Sequence, residues 1–99
     1  MNATLWHVYL LECDGRAIYT GITTDVARRF AEHQSQGRRC ARFLRGRAPL
    51  QLVFARRIGS RSLALRAERR FKRLPKHRKE ALLRARPGRV ALLTALGVR

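Results

Sequence analysis

Five side chains in this sequence are of types that do chemistry and are spaced as if to meet: Tyr9, Tyr19, Arg29, His33 and Glu68. Tyr9 and Tyr19 are the only tyrosines, and they lie on either side of Cys13-Asp14-Gly15. Arg29 and His33 follow one helical turn apart. Arg29 offers a planar fork of donors that suits phosphate, or else lays its stem across a sheet. His33 can orient a water or touch phosphate, or can satisfy a backbone carbonyl. Glu68 can hold one divalent ion whose other ligands are water and phosphate, because Mg2+ keeps several of its waters. Its competing use is an i,i+4 ion pair with Lys72. Strand tyrosines ordinarily pack, so the two phenols gain chemical meaning only from their company.

For these groups to meet, a hairpin must feed a helix. The apolar runs His7–Glu12 and Ala17–Thr23 flank an Asp-Gly turn, a strong hairpin signal. With a three-residue loop at Cys13-Asp14-Gly15, Glu12 faces Arg16 and Tyr9 faces Tyr19, with Cβ atoms roughly 5 Å apart on one face. A two-residue loop at Asp14-Gly15 would put the phenols on opposite faces. The shared face is the expectation adopted here. Asp25 then caps a helix to about Gln36, closed by Gly37, with an inward stripe of Val26, Arg29, Phe30 and His33. Polar residues thus occupy stripe positions where leucine is usual.

The segment 37–49 is basic and irregular, and Leu50–Ile58 reads as a third strand ended by Gly59. Ser60 or Ser62 caps a second helix, Leu63–Leu74, whose stripe is Ala64, Ala67, Glu68 and Phe71. Pro75 separates it from a third helix, Lys76–Ala85. Pro87-Gly88 breaks the chain again before Val90–Leu96, an apolar tail forming a last turn over the core. The expected fold class is α/β with α+β layering. It has a small three-stranded, mainly antiparallel sheet flanked by three helices, in the order β-β-α-β-α-α, within a single domain spanning 1–99.

The chain has 99 residues and a net charge of +17, and 20 of its 23 basic residues are arginine. Self-repulsion of that size is best explained by a polyanionic partner, which points to nucleic acid. Arg38, Arg39, Arg42, Arg45 and Arg47 are expected to give sequence-independent phosphate contacts. The carboxylates are only Glu12, Asp14, Asp25, Glu32, Glu68 and Glu80. Asp14 serves the turn, Asp25 the cap, and Glu32 lies on the outer side of its helix, which leaves Glu68 for an inward site. A two-metal nuclease is hard to build from that set. Cys13 and Cys40 form no CxxC pair, which argues against zinc and fits a reduced cytoplasm; both read as bystanders. There is no signal-peptide pattern and no apolar run of membrane-spanning length, so a cytoplasmic monomer without membrane contact is expected.

Tyr9 in HVY, Tyr19-Thr20-Gly21, Arg29 eight residues beyond that glycine, His33, and Glu68 in ALRAERRFK together resemble the GIY-YIG nuclease superfamily. The likeness is greatest to its small stand-alone bacterial YhbQ-like group and runs from Trp6 to about Leu93. The resemblance implies metal-dependent, endonuclease-type hydrolysis of phosphodiester bonds, in DNA more than in RNA, in repair or processing, with a single Mg2+ or Mn2+. By position, it makes Tyr9 the water-activating tyrosine, Tyr19 its partner and Gly21 the glycine closing the second motif. It also makes Arg29 the phosphate-binding arginine, His33 the helix histidine and Glu68 the metal ligand. Lys72 joins Gly21 and the loop arginines as an expected nucleic-acid contact. His7 and Thr20 depart from the family's name motifs, and the late carboxamide of many members has no counterpart, since the only asparagine is Asn2. The alternative function is a nucleic-acid-binding module that keeps the nuclease fold without turnover. A phenol with pKa ~10 needs about 4 kcal/mol of differential stabilisation to ionise near neutrality. A second phenol, a metal ion and an arginine-rich field are expected to supply it.

Overall fold

A computed structural model of the chain describes residues 4–15 and 17–98. The two alternating runs form the hairpin, β1 (Trp6–Cys13) and β2 (Ala17–Thr23). A third strand, β3 (Leu50–Gly59), pairs antiparallel with the other side of β1, giving the order β2-β1-β3. The strand carrying Tyr9 is therefore central, and β2 is an edge.

The hairpin register differs from expectation by two residues. Cys13 pairs with Ala17, Leu11 with Tyr19 and Tyr9 with Gly21, so Cys13 belongs to the strand and not to the expected loop 13–15. Asp14 and Gly15 both take positive φ, 57° and 71°, which places the left-handed residues inside the loop and leaves Cys13 to the strand, buried. Glu12 accordingly pairs with Ile18; its expected partner Arg16 lies outside the described residues. A shift of two preserves strand parity, so Tyr9 and Tyr19 still share a face, diagonally rather than directly opposed.

The helices begin where the caps direct. The Asp25 carboxylate accepts from the Arg28 N–H at the start of α1 (Val26–Gln34), and Ser60 Oγ accepts from the Leu63 N–H at the start of α2 (Arg61–Arg73). α1 stops short of Gln36, and it is Gln36 rather than Gly37 that takes positive φ, 58°. The cause is the Gln36 amide. It donates to the His33 and Leu44 carbonyls and accepts from the Gly46 N–H, which commits the residue to the loop. A 3-10 turn (Arg42–Leu44) interrupts the basic segment. α3 (Lys76–Ala85) lies where expected, and the apolar tail is a two-turn helix, α4 (Arg89–Leu96). Among the described residues there are four helices, not three, because Leu92, Leu93 and Leu96 have a core to enter.

The sheet carries a core on each face. Val8, Leu10, Phe54 and Ile58 pack under Ala64, Ala67 and Phe71 of α2 and the leucines of α4. On the other face Tyr9, Leu11 and Cys13 pack with Cys40, Leu44 and Leu50, and Val26 and Phe30 of α1 close over them. Each fully buried large apolar side chain contributes about 1.5–3 kcal/mol. The tyrosine hydroxyl of the central strand thus sits inside a core, and that core must supply it with partners.

Gly21 lies beneath the Tyr9 ring, where a Cβ would fall 2.5 Å from Tyr9 Oη and 2.6 Å from Cζ. Gly21→Ala should therefore expel the ring and cost roughly 1–3 kcal/mol. A urea titration reads the loss, and NMR contacts between Tyr9 and His33 should disappear. Unchanged contacts would refute the steric account.

Candidate active site

Tyr9 is almost completely buried on the central strand, and its Oη lies 2.8 Å from His33 Nε2, itself fully buried on α1. The other ring nitrogen of His33, Nδ1, accepts the backbone N–H of Ala41 at 3.2 Å. An acceptor at Nδ1 fixes the proton at Nε2, so His33 donates to the tyrosine oxygen. The phenolic hydrogen of Tyr9 is left to point elsewhere. Burial first, then the Arg29 charge, pushes the His33 pKa down to about 4, so the ring is neutral at neutral pH, with Glu32 opposing only in part.

Tyr19 completes an aromatic triangle. Its ring centroid is 6.3 Å from that of Tyr9 and 5.6 Å, edge-on, from that of His33. Arg29 projects from α1 with its guanidinium fastened twice, to Glu32 Oε1 at 3.0 Å and to the Arg39 carbonyl at 2.6 Å. Burial opposes its charge, but the Glu32 bond and the Tyr9 oxygen outweigh this and raise its pKa. Glu32 is not the free outer-face acid expected. It is half-buried and holds Arg29 together with Arg39, the latter at 3.6 Å. Helical spacing alone could not show that the following loop folds back over this acid.

The electrostatics reverse the expectation for the phenols. Burial raises the pKa of Tyr9 strongly and Tyr19 adds to the rise, while Arg29 opposes it. Burial likewise raises Tyr19; Arg29 and the hydrogen bond with Tyr9 oppose, and the Glu68 charge adds. The desolvation of a phenolate inside a core exceeds what one arginine returns. Both tyrosines rest as neutral phenols.

Glu68 stands on α2, its charge acts on Tyr19, and its carboxylate lies 3.7 Å from Lys72 Nζ, so the i,i+4 pair is formed. Among the described residues no group of three His, Cys, Asp or Glu side chains could hold a metal ion. The donor available is one hard carboxylate oxygen pair, 19% exposed, which suits a cation that retains water and takes further oxygens from phosphate. The donor set fits Mg2+ or Mn2+ on those terms and offers zinc neither thiolate nor imidazole.

The loop arginines divide. Arg38 and Arg42 are exposed on the loop. Arg45 turns back to the Gly37, Arg38 and Cys40 carbonyls, so it braces the loop rather than reaching outward as expected. Arg47 binds Asp14 at 3.2 Å and lies 4.3 Å over the Phe43 ring. Cys13 and Cys40 are both free and buried in the same core. Sequence reasoning missed Gln34, which clasps the Leu50 N–H and carbonyl, and Gln36, which staples the loop that presents Ala41. It also missed Phe43, which stacks on Tyr19 at 6.0 Å. The one available signal was a Gln-Ser-Gln run where a helix should end, amides placed to satisfy a loop backbone.

A family model described as the GIY-YIG catalytic domain matches residues 5–81. A UPF0213 protein of Citrobacter koseri is 50% identical over 93 residues, covering 94% of this chain and 91% of that one. The UPF0213 protein YhbQ of Salmonella typhimurium matches to the same extent, 50% over 93 residues with the same coverage. A UPF0213 protein of Cronobacter sakazakii is 56% identical over 78 residues, 79% of this chain and 80% of its own. The solution NMR structure of a UPF0213 protein from Bacillus halodurans is similar with a TM-score of 0.55 and 37% identity, over 96% of this chain and 99% of that one.

The depressed His33 pKa makes a stability prediction. The unfolded histidine binds its proton near pH 6.5 and the folded one only near pH 4, so stability is full above about pH 6.5 and falls as pH drops toward 4. The loss should be of order 3 kcal/mol. Urea midpoints at pH 7 and pH 4.5 for the parent and His33→Gln isolate it, and the variant should show the shallower decline. Equal pH slopes would show that His33 is not held neutral.

Proposed function

The chain belongs to the GIY-YIG family, whose domain is of nuclease type, and on that premise we propose that it hydrolyses phosphodiester bonds of nucleic acid as a metal-dependent endonuclease. The observation that carries this reading is the gathering of Tyr9, Tyr19, His33 and Arg29 on one sheet face, with the Glu68 charge felt at Tyr19. DNA is the preferred substrate, RNA the second, and the single domain spanning 1–99 acts as a cytoplasmic monomer in repair or processing.

The proposed chemistry follows from the resting protonation. Tyr9 Oη accepts from His33 Nε2–H and keeps a lone pair for the attacking water. Its own hydrogen, given to Tyr19 in the resting site, would turn to a non-bridging phosphate oxygen when substrate binds. As the water oxygen bonds to phosphorus and the P–O bond to the leaving oxygen breaks, a water proton passes to Tyr9 and the Tyr9 proton passes to the phosphate. The departing oxygen takes its proton from solvent, and no free phenolate is needed. His33 stabilises the negative charge that develops on the phenolic oxygen, and Arg29, held by Glu32 and the Arg39 carbonyl, stabilises that on the phosphate. Tyr19 lines the site beside both rings. Glu68 would hold the divalent ion, which when bound supplies charge neutralisation at the leaving oxygen.

A second reading has one specific observation in its favour. Glu68 is already paired with Lys72, as a purely structural acid would be, which fits a binding module without turnover. Glu68→Gln separates the two. Under the hydrolytic reading it should abolish Mg2+- or Mn2+-stimulated nicking of supercoiled DNA while binding stays equal or tightens, because a negative charge is removed from a basic surface. Under the structural reading it should cost roughly 0.3–0.5 kcal/mol of stability and change nothing else. Equal cleavage by variant and parent would end the metal-ligand assignment.

In both readings binding should be electrostatic. Log affinity should fall with log salt by ~0.9 per phosphate contacted on duplex DNA. Fluorescence anisotropy from low to high salt measures the slope, and a flat profile would contradict a phosphate-dominated interface.

A further inference from the structure

Beside the candidate active site, along the outer edge of β2, lies a hollow of about 220 Å³ lined by Ile18, Tyr19, Thr20, Phe43, Lys72 and Lys79. Because β2 is an edge strand, residues from both of its faces reach the hollow: Ile18 and Thr20 from one, Tyr19 from the other. Four elements wall it, since Phe43 comes from the 3-10 turn, Lys72 from α2 and Lys79 from α3. We propose that this hollow is a subsite for one unpaired nucleotide of the substrate. The inference rests on the nuclease reading for its placement next to the cut.

The composition of the walls fits a nucleotide. Phe43 is 46% exposed, stacks on Tyr19 with ring planes 24° apart, and carries the Arg47 guanidinium 4.3 Å from its centroid. Tyr19 and Arg47 flank this ring, and its exposed part offers a contact that any base can use, because every base has a π face. The two lysines supply ammonium groups for a flanking phosphate, and no carboxylate belongs to the lining. Thr20 adds a polar group. Its residue is 2% exposed, and its Oγ1 is one of the buried side-chain atoms with no hydrogen-bond partner among the described residues. A buried hydroxyl without a partner is costly, and an occupant of the hollow can relieve it.

Size narrows the occupant. Pockets for drug-sized ligands run roughly 300–1,000 Å³, so this smaller hollow takes a single base with its sugar rather than a stacked pair. A base inside an intact duplex is paired and stacked and cannot enter. Only a nucleotide freed from pairing, at a flap, a bulge or a frayed end, reaches Phe43. Position links it to the reaction. Tyr19 walls the hollow and is 6.3 Å, ring to ring, from Tyr9, and Lys72 is the partner of Glu68. The occupant therefore lies next to the phosphodiester presented to the tyrosines, and the substrate class becomes nucleic acid with an unpaired nucleotide beside the cut.

The test is binding of the full chain in EDTA, read by fluorescence anisotropy. The probes are a labelled blunt duplex and the same duplex carrying a one-nucleotide thymidine flap. The parent should bind the flap roughly tenfold more tightly, the scale of one base–aromatic stack. Phe43→Ala should erase that preference while blunt-duplex affinity and its salt slope persist. Thr20→Val, nearly isosteric, should reduce the preference by about fivefold. Lys79→Ala probes the same wall from the surface of α3 without disturbing the aromatic packing, and it too should lower the preference. A parent that binds both probes equally, or a preference that survives Phe43→Ala and Lys79→Ala, overturns the subsite. If the preference behaves as stated but no metal supports cleavage of either probe, the hydrolytic reading fails and the subsite stands.

Discussion

The hydrogen bond between Tyr9 and His33 is the constraint around which the rest is arranged. Both partners are buried, one on the central strand and one on the first helix, so each relies on the other for a hydrogen bond. A buried polar group without a partner costs about 1–3 kcal/mol, enough to select one position of helix on sheet. The imidazole in turn needs a donor at Nδ1, and Ala41 supplies it only because the loop folds back over the helix end. That fold is secured by the Gln36 side chain, which spans from His33 to Leu44 and Gly46, and by Arg45 on three carbonyls. A loop rich in arginine, which ought to repel itself, is thus ordered by the Gln36 amide and by an arginine turned onto backbone carbonyls, and the chain from Gln36 to Tyr9 is continuous.

The same bond explains the glycine and the register. For Tyr9 Oη to meet His33, the ring must lie flat across the neighbouring strand, and only a residue without a Cβ can lie under it. Gly21 occupies that position because the strands pair with Tyr9 opposite residue 21 rather than 19. Tyr19 is thereby displaced diagonally, toward the edge of the sheet, where it meets Phe43 instead of stacking squarely on Tyr9. Direct opposition of the phenols would have put a side chain where the Tyr9 ring now rests. Diagonal placement gives the edge strand an aromatic residue facing both the buried tyrosine and the open hollow.

The fold was legible in the sequence where local chemistry dictates it. The Asp-Gly turn, the Asp25 cap, a serine cap at 60 or 62 and the Pro75 break mark the elements, and the shared face of Tyr9 and Tyr19 follows from alternation only once the loop is given three residues. The candidate site was legible as a set of residues, because polar side chains on apolar stripes are conspicuous. Partnerships were not. Glu32 looks outward by helical spacing and is claimed by Arg29 and Arg39 only because a distant loop returns. The hairpin register turned on which loop residues adopt positive φ, and Asp14 does so without being glycine. The fourth helix is faint in the sequence, because a short apolar segment declares helix only when Leu92 and Leu96 find a core prepared by α2 and β3.

The raised phenol pKa was the least visible feature, and it constrains mechanism most. Charge counting suggests that a protein of net charge +17 should ionise a tyrosine readily. Yet most of that charge is at the surface, where screening over about 10 Å weakens it, while desolvation acts directly on the buried oxygen. Arg29 is the cation that acts on Tyr9 among the leading influences, and its charge is shared with Glu32. An oxygen so placed gives up a proton only as it receives another. A phenol that accepts from histidine and donates to a second phenol is suited to relay rather than to abstraction. Under the proposed hydrolysis the protein would then need no ionised base at rest, and the surface arginines would be left to bring the polyanion to a neutral phenol.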